Sequence, residues 1–406
     1  MQAHSQVLKR VRVLSSEVLP EVSAAWTVPC VIKPFHRTQG PGRGRNARAP
    51  APLNGFDSHT EPPDNLAVPW SELTSDSNHE ISMRAIRYHE LGGPEVLRCE
   101  DVPTPEPNSH EVLIRIAAAG LNYADLNRIR GIYPVPDPLP AIIGQEASGT
   151  VEAVGKDVHE FAPGDRVMAW IGRGCFAEYI AAPTPHVRKV PDTLDWDVAA
   201  ALQTITITAY HLLKTRARIR AGETVLIHAA ASGVGSTAVQ LAKLWGARVI
   251  ATASSNEKLA RIQELGADEG INYSEVDFQP EVMRLTDGRG VDVVLEQVGG
   301  DVLTRSIACL APVVGRLILY GRSSGGLPDL DAADIFTRNI SIISLHLGMP
   351  VWTPDLHDEA FAKILGLIAS GSLQPIIDRT FPLEEAAEAF RHLGARRAIG
   401  KVLLQP

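Results

Sequence analysis

Short runs of alternating apolar and polar residues characterise the chain from residue 83 to about residue 191. Such runs at 83–88, 112–117 and 149–155 predict half-buried strands. Glycine- and proline-rich turn signals separate them, and helical periodicity is scarce. This stretch is therefore predicted to fold as a compact antiparallel β unit.

After Asp192, strand-like apolar runs alternate with helical ones. A helix over 257–265, which follows a Ser-Asn pair and stops at Gly266, is typical of the intervening segments. Six strand candidates lie at 225–228, 248–252, 271–273, 291–295, 316–320 and 340–345. Strands joined by crossover helices predict a doubly wound parallel sheet, so the predicted fold class is α/β.

The end of the chain contains more elements than a six-stranded sheet needs. Helices are predicted over 358–370 and 383–393, and strands over 376–378 and 400–404. We expect these elements to fold back onto the first β unit.

The turn at 229–235, after the first strand of the alternating region, carries the main chemical signal. A buried strand, a turn of small residues and a helix direct free backbone N–H groups at an anion, and a pyrophosphate is the natural ligand. Of a G-x-G-x-x-G motif only Gly233 and Gly235 are present, with Ser232 where another glycine is expected. The turn alone fits an ordinary connection equally well, and the six-strand alternation favours a dinucleotide site.

Composition and charge narrow the classes of function. The 406 residues are 45% hydrophobic and 21% charged, with a formal net charge of -8. A net acidic chain is not expected to bind nucleic acid or a membrane surface, and no apolar run is long enough to span a bilayer. The four cysteines are widely spaced and form no C-x-x-C pair. This argues against disulfides and a cysteine zinc site, and favours a reducing, cytoplasmic location.

Residues 1–82 differ from the rest. A glycine, proline and arginine tract at 40–52 has no means of burying a core. We predict a disordered extension, or translated sequence upstream of a start at Met83. The alternative is a mitochondrial transit peptide, because the first sixteen residues contain three basic side chains and no acidic one.

Several short segments together carry a family resemblance. They occur at 120–125, 163–167, 208–210, 229–235, 239–243, 265–268, 271–273 and 399–402. By their order and spacing, the chain from Met83 to Pro406 resembles a medium-chain dehydrogenase/reductase, in the zinc-free quinone oxidoreductase branch that includes zeta-crystallin. Residues 1–82 have no counterpart in that pattern.

This resemblance implies a two-domain enzyme. A GroES-like catalytic domain is expected over 83–207 and a Rossmann NADP-binding domain over 208–345, with a C-terminal segment, 346–406, completing the catalytic domain. The implied activity is hydride transfer from NADPH to a quinone or to an activated carbon–carbon double bond. A homodimer is also implied, with the strand near 340–345 pairing across the interface.

Zinc members of the same superfamily ligate their metal with a cysteine and a Gly-His-Glu segment. Here the matching positions read Asn122-Tyr123 and Gly144-Gln145-Glu146, and the carboxamide of Gln145 is a poor zinc ligand. No metal is therefore expected. Without a strong Lewis acid, reduction of an electron-poor acceptor is favoured over alcohol oxidation.

Residues at the end of the second strand of the predicted parallel sheet indicate which cofactor is bound. NAD enzymes of this fold place an acid there to bind the ribose 2′-hydroxyl, and Ala253 occupies that position. Ser254, Ser255 and Lys258 can instead donate to a 2′-phosphate. Tyr273 resembles a family position that also contacts this phosphate. These residues predict NADPH.

The resemblance assigns further residues to the nicotinamide and the acceptor. Asn122 is expected to orient the nicotinamide or its ribose. Lys401 is expected either to lie over the cofactor or to be a solvated lysine near the chain end. The candidate catalytic residues are Asn122, Tyr123, Tyr133 and Gln145. The candidate cofactor-binding residues are Thr208, Ser232, Gly233, Val234, Gly235, Ser254, Ser255, Lys258, Tyr273, Tyr320, Gly321 and Lys401.

Two other polar residues have competing interpretations. Asp125 is expected either to brace the active-site loop or to cap the helix that follows it. His228, at the end of a buried strand, is predicted to be packed in the core and not catalytic.

Three functions stay open on the sequence. The first is an NADPH-dependent quinone reductase, and the second an NADPH-dependent reductase of a 2-alkenal, enone or enoyl thioester. The third is a non-enzymatic NADPH-binding or RNA-binding protein. The acidic balance argues against RNA, whereas the arginine-rich tract near the amino terminus argues for it.

Overall fold

A computed structural model of the protein describes residues 82–347 and 354–406. The extension, upstream translation and transit peptide predicted over residues 1–82 thus lie almost wholly outside the described residues. Among the helices of the described residues, none has the length and apolar character needed to cross a bilayer.

The first part of the described chain is built mainly from strands. Its elements are β1 (Ser82–Tyr88), β2 (Arg98–Pro103), β3 (Glu111–Leu121), α1 (Tyr123–Ile129), β4 (Ala141–Ile142), β5 (Glu146–Val154), β6 (Arg166–Trp170), β7 (Tyr179–Pro183) and β8 (Val187–Lys189). The three strands predicted here from alternation are β1, β3 and β5.

A helical stretch follows, comprising α2 (Trp196–Ala201) and α3 (Ile207–Tyr210), each followed by a π-helical turn. It runs without a break across residues 207 and 208, where the two domains were expected to meet. Leu202, Ile207 and Leu212 pack in one hydrophobic cluster, which explains why the helical backbone continues there.

Strands and helices then alternate as the pattern predicts. The elements are β9 (Thr224–Ile227), α4 (Gly233–Leu244), β10 (Arg248–Ala253), α5 (Asn256–Glu264), β11 (Glu269–Asn272), α6 (Phe278–Leu285), β12 (Val293–Glu296), α7 (Gly300–Ala308), β13 (Arg316–Leu319), α8 (Ala332–Arg338) and β14 (Ser341–Ser344). The chain ends with α9 (Pro354–Ala369), β15 (Ile377–Pro382), α10 (Ala386–Gly394) and β16 (Lys401–Gln405).

Three sheets organise these strands. A six-stranded sheet has the order β11-β10-β9-β12-β13-β14 and is parallel throughout. A seven-stranded sheet has the order β15-β16-β3-β5-β6-β8, with β7 also paired to β3, and β2-β1-β4 form a small third sheet. We call the six-stranded sheet with its helices the nucleotide lobe, and the other two sheets with α1 and α10 the β lobe. The α/β fold class with a doubly wound parallel sheet is confirmed.

The carboxyl-terminal elements divide between the two lobes. Strand β16 pairs antiparallel with β3, and β15 pairs with β16, so both strands extend the β lobe. Helix α9 differs from the expectation that the whole segment folds onto the β lobe. Its Ala360 and Ile364 are buried in the cluster that contains Val225 and Ile318 of the nucleotide lobe, because these are the apolar surfaces within its reach.

Candidate dinucleotide and acceptor site

A cavity of about 1030 Å³ lies at the carboxyl ends of the parallel strands and is also lined by the β lobe. Residues following β9 to β14 line one side. The other side comes from the segment after β3, the start of β5, the helical stretch near Thr204, and the turn before β16. Ligands of doubly wound sheets bind at this edge. The candidate site is therefore a cleft between the two lobes.

The turn at 229–235 connects β9 to α4 at the centre of this cleft. The hydroxyl oxygen of Ser232 caps α4 by accepting a hydrogen bond from the N–H of Gly235 at 3.1 Å. Gly233 and Val234 line the cleft at the first turn of α4, where N–H groups lack intrahelical acceptors. A Cβ on Gly235 would lie 2.4 Å from the carbonyl oxygen of Ala229, so only glycine lets the helix pack this close to the strand. The predicted turn thus has the geometry of an anion site.

Two contacts that the sequence did not indicate support this turn. The side-chain amide of Gln297, just after β12, donates to the Ser232 hydroxyl at 3.3 Å. The N–H of Gly400 donates to the carbonyl of Ala231 at 2.8 Å, which joins the carboxyl-terminal strand of the β lobe to the turn. Each pair lies far apart in the sequence, so no local pattern predicts it.

The end of β10 forms one end of the cleft. Ala253 is its last residue, and Ser254, Lys258 and Tyr273 line the cavity there. The Lys258 ammonium donates to the carbonyl of Arg396, and partial burial lowers the pKa of Lys258. Arg396 also lines the cavity, from a left-handed backbone position after α10 with φ of 57°. Sequence analysis missed Arg396.

Ser255 caps the helix that follows β10. Its hydroxyl oxygen is the cap of α5 and accepts a hydrogen bond from the N–H of Lys258 at 3.3 Å. A serine immediately before a helix commonly makes this bond. Its hydroxyl therefore stabilises α5, while Ser254 lines the cavity.

Thr208, Tyr320 and Gly321 line another part of the cleft. The Tyr320 hydroxyl is buried and has no hydrogen-bond partner in the described part of the chain, and burial raises the pKa of Tyr320. A Cβ on Gly321 would lie 3.0 Å from the Cβ of Gln297, so glycine permits close contact between the segments after β12 and β13.

Lys401 and Asn122 take part in a buried network beside the cleft. The Lys401 ammonium donates to Glu146 Oε1 and to Asn122 Oδ1, each at 2.6 Å. The Lys401 and Glu146 side chains are only 2% and 1% exposed. The amide nitrogen of Asn122 donates to Glu146 at 2.9 Å and to the carbonyl of Gly120 at 3.2 Å, so both of its N–H groups are used within the protein. The other oxygen of Glu146 accepts the N–H of Thr204 at 2.8 Å.

This network alters the expectations for both residues. Lys401 lines the cleft, and its ammonium is paired with the carboxylate of Glu146. Asn122 is held by the network with no free N–H to offer a nicotinamide. A buried charge requires a partner, and Glu146 supplies it from β5, which is separated from β16 by β3 in the sheet.

Asp125 performs both of its predicted roles. One carboxylate oxygen accepts the N–H of Asn122 at 2.8 Å, at the start of α1, and the other accepts the side-chain amide of Gln145 at 3.1 Å. Asp125 is fully buried, and burial raises its pKa to about 6, although these hydrogen bonds and the charge of Lys401 favour the ionised form. Gln145 lines the cleft and retains one amide hydrogen for a ligand.

Two tyrosines line the cleft from the β lobe. The Tyr123 hydroxyl donates to the carbonyl of Ser323 at 3.2 Å and so links the two lobes. The Arg128 guanidinium lies 4.1 Å from the centre of the Tyr133 ring, and burial raises the pKa of Tyr133. Both rings therefore form part of the wall, and the Tyr123 hydroxyl hydrogen is already used.

His228 is packed as predicted, although it also borders the cleft. Its ring nitrogens lie 3.1 Å from the hydroxyl of Thr252 and 2.8 Å from that of Ser306. Burial, aided by the charge of Arg305, lowers its pKa to about 3, so the ring is neutral at physiological pH. Because both nitrogens are occupied, it is poorly suited to proton transfer.

At the positions where zinc members of the superfamily have metal ligands, this chain has side chains that bind zinc poorly. Asn122 and Gln145 present amides, and the amide nitrogen of Gln145 is already bonded to Asp125. Nearby, burial and the carboxylates of Glu146 and Asp125 raise the pKa of the Cys175 thiol well above its ordinary value. Residues 82–347 and 354–406 contain no group of three His, Cys, Asp or Glu that could hold a metal ion. A metal-free enzyme stays our prediction.

The fold and the cleft define the class of protein: a dehydrogenase or reductase built from a dinucleotide-binding sheet and a β lobe. A family model described as alcohol dehydrogenase GroES-like domain matches residues 108–192, and one described as zinc-binding dehydrogenase matches residues 233–368. The quinone oxidoreductase of Pseudomonas aeruginosa is 37% identical over 325 residues, covering 80% of this chain and 99% of that protein.

Two other relatives extend this result. The 2-haloacrylate reductase of a Burkholderia species is 35% identical, covering 78% of this chain and 97% of that protein. The structure of Escherichia coli quinone oxidoreductase complexed with NADPH matches with a TM-score of 0.76 at 32% identity, covering 80% of this chain and 100% of that one. The chain therefore belongs to the medium-chain dehydrogenase/reductase superfamily and, within it, to the quinone oxidoreductase branch that includes zeta-crystallin. It is an oxidoreductase.

Proposed function

We propose that this protein transfers hydride from NADPH to a quinone without a metal. The cofactor assignment rests on the residues that line the end of the cleft beside β10. There Ala253 supplies no carboxylate, while Ser254, Lys258 and Arg396 supply donors and positive charge. A carboxylate at this position favours a ribose hydroxyl, whereas this group of residues favours a phosphate. The NADPH complex of the E. coli relative supports the same assignment.

The residues along the cleft fit the rest of the dinucleotide. Gly233 and Val234 would hold the pyrophosphate, and Thr208 and Tyr320 would confine the nicotinamide. The hydroxyl of Tyr320 is buried and has no hydrogen-bond partner among the described residues, so a bound group can satisfy it. Titration of the protein with NADPH and NADH tests the assignment. We expect clearly tighter binding of NADPH, and equal affinities would contradict it.

Bound NADPH supplies the hydride. The protein orients the two reactants and stabilises the negative charge that develops on the acceptor. The cleft holds the acceptor near Gln145, whose remaining amide hydrogen would donate to the acceptor oxygen as it gains negative charge. Asp125 accepts the other amide hydrogen of Gln145 and so fixes its orientation. Proximity and orientation then provide most of the acceleration, because hydride transfer needs no protein nucleophile.

The choice of acceptor is tested by steady-state NADPH oxidation with 1,4-benzoquinone, 1,4-naphthoquinone and a series of 2-alkenals. We expect higher kcat/KM with the quinones. Turnover of the alkenals alone would replace the quinone assignment by the second candidate, a reductase of an activated carbon–carbon double bond. The 2-haloacrylate reductase among the relatives favours that candidate. Binding of NADPH with no turnover of either class would support a non-enzymatic role.

We also propose that the protein is a homodimer joined at the outer edge of β14, with which no other strand of the described residues pairs. This strand ends the six-stranded sheet, and Phe336 of the preceding helix α8 is 81% exposed. A bare strand edge and an exposed aromatic ring favour association with a second copy. Sedimentation should show a dimer for the unmodified protein and a monomer for Phe336→Asp. The control, Leu244→Asp, changes an exposed apolar residue of α4 and should remain dimeric; a monomeric unmodified protein would refute the proposal.

A further inference from the structure

Arg322 is a cation of the cleft that has no carboxylate partner among the residues the structure describes. It follows β13, lines the cavity, and donates a hydrogen bond to the carbonyl of Ile132 in the β lobe. Across residues 82–347 and 354–406, no carboxylate oxygen lies within 4.0 Å of its guanidinium. Two other cations that line the cleft are paired, Lys401 with Glu146 and Arg305 with Asp277.

The surroundings of Arg322 leave its donors available. Apolar side chains line the cleft in the segments it adjoins, among them Ile132 and Leu327. An arginine has five N–H donors, and the structure assigns one of them to a carbonyl. The planar fork of the remaining donors matches a carboxylate, and the low polarity of the wall strengthens such a contact.

The phosphates of the dinucleotide have their own positions elsewhere in the cleft. The pyrophosphate position is the turn at 229–235, and the 2′-phosphate position lies beside Lys258 and Arg396. The Arg322 side chain instead reaches the segment that contains Ile132 and Tyr133, on the β-lobe wall of the cleft. An anion bound by Arg322 would therefore belong to the acceptor.

We propose that Arg322 is a specificity determinant and that the preferred acceptor is an electron-poor compound bearing a carboxylate. This inference rests on the proposed function, since it names the class of acceptor reduced in the same cleft. The guanidinium would bind the carboxylate bidentately and hold the reducible part of the molecule against the nicotinamide position. The hydride still passes to the electron-poor ring or double bond, and the carboxylate itself is unchanged.

A matched pair of acceptors, 1,4-naphthoquinone-6-carboxylate and its methyl ester, tests the proposal. The unmodified protein should have the higher kcat/KM with the acid. Arg322→Met should lower kcat/KM for the acid by about 10- to 100-fold, the range for a lost hydrogen bond to a charged group, with a much smaller change for the ester. Arg322→Lys should fall between them. Arg130→Met removes an exposed charge at the end of α1 that does not line the cleft, and should leave the ratio of acid to ester unchanged.

Two results would overturn the proposal. One is equal use of acid and ester by the unmodified protein, and the other is an equal loss with both acceptors in Arg322→Met together with a raised Kd for NADPH. The second result would assign Arg322 to the cofactor. If neither quinone is reduced, the proposed function fails, and equilibrium binding of acid and ester to the NADPH complex decides the Arg322 inference separately. Preferential binding of the acid, lost in Arg322→Met, would then support it.

Discussion

Replacing Lys401 by methionine is expected to lower the free energy of unfolding by about 3–5 kcal/mol, the range for breaking a buried ion pair by removal of one partner. Methionine keeps most of the volume of the side chain but leaves the carboxylate of Glu146, 1% exposed, without a cation. Asn122 and the backbone N–H of Thr204 still donate to Glu146 but cannot neutralise it. Urea unfolding, with the m-value checked for two-state behaviour, measures the effect.

The double variant Lys401→Met, Glu146→Gln is the control for this prediction. A neutral amide at position 146 removes the unpaired charge, so the double variant should recover most of the lost stability. If the free energy of unfolding of the single variant falls by less than about 1 kcal/mol, this ion pair does not stabilise the fold as proposed. A contribution that small is typical of exposed ion pairs.

Removing the positive charge beside β10 is expected to weaken NADPH binding selectively. Lys258→Ala and Arg396→Ala should each raise the Kd for NADPH by about 10- to 100-fold, because each removes a charged donor to the 2′-phosphate. NADH has no such phosphate, so its Kd should change little. Fluorescence titration with both cofactors measures the selectivity.

Two further variants make this test sharper. Arg397→Ala removes the neighbouring charge at an exposed residue that does not line the cleft, and should leave both Kd values unchanged. Ala253→Asp places a carboxylate at the end of β10 and should shift the preference towards NADH. If Lys258→Ala weakens NADPH and NADH equally, the lysine contributes to the fold of the cleft and the phosphate assignment is wrong.

Local sequence patterns predicted the framework because their causes are local. The apolar runs of β9, β10, β12 and β13 identify buried parallel strands, and glycine at position 235 is required where helix meets strand. Ala253, Ser254 and Lys258 lie within six residues, so the neutral, donor-rich end of β10 could be read directly. Ser255 has a second role that its position before a helix also allows, since its hydroxyl oxygen accepts the N–H of Lys258 as the cap of α5.

The position of the charges in the cleft was decided by tertiary structure. Lys401 and Glu146 are 255 positions apart, and their pairing follows from the strand order β16-β3-β5, which no local period encodes. Arg396 is 138 positions from Lys258, and the segment after α10 brings its carbonyl within hydrogen-bond distance of the Lys258 ammonium. From the sequence, period and composition predicted an α/β fold with a dinucleotide turn and no acid at the end of its second strand, since both reflect local burial, and the family resemblance implied an oxidoreductase. Which cations of the cleft are neutralised, and which, like Arg322, have no carboxylate partner among the described residues, depended on contacts between distant segments, and these exist only in the folded chain.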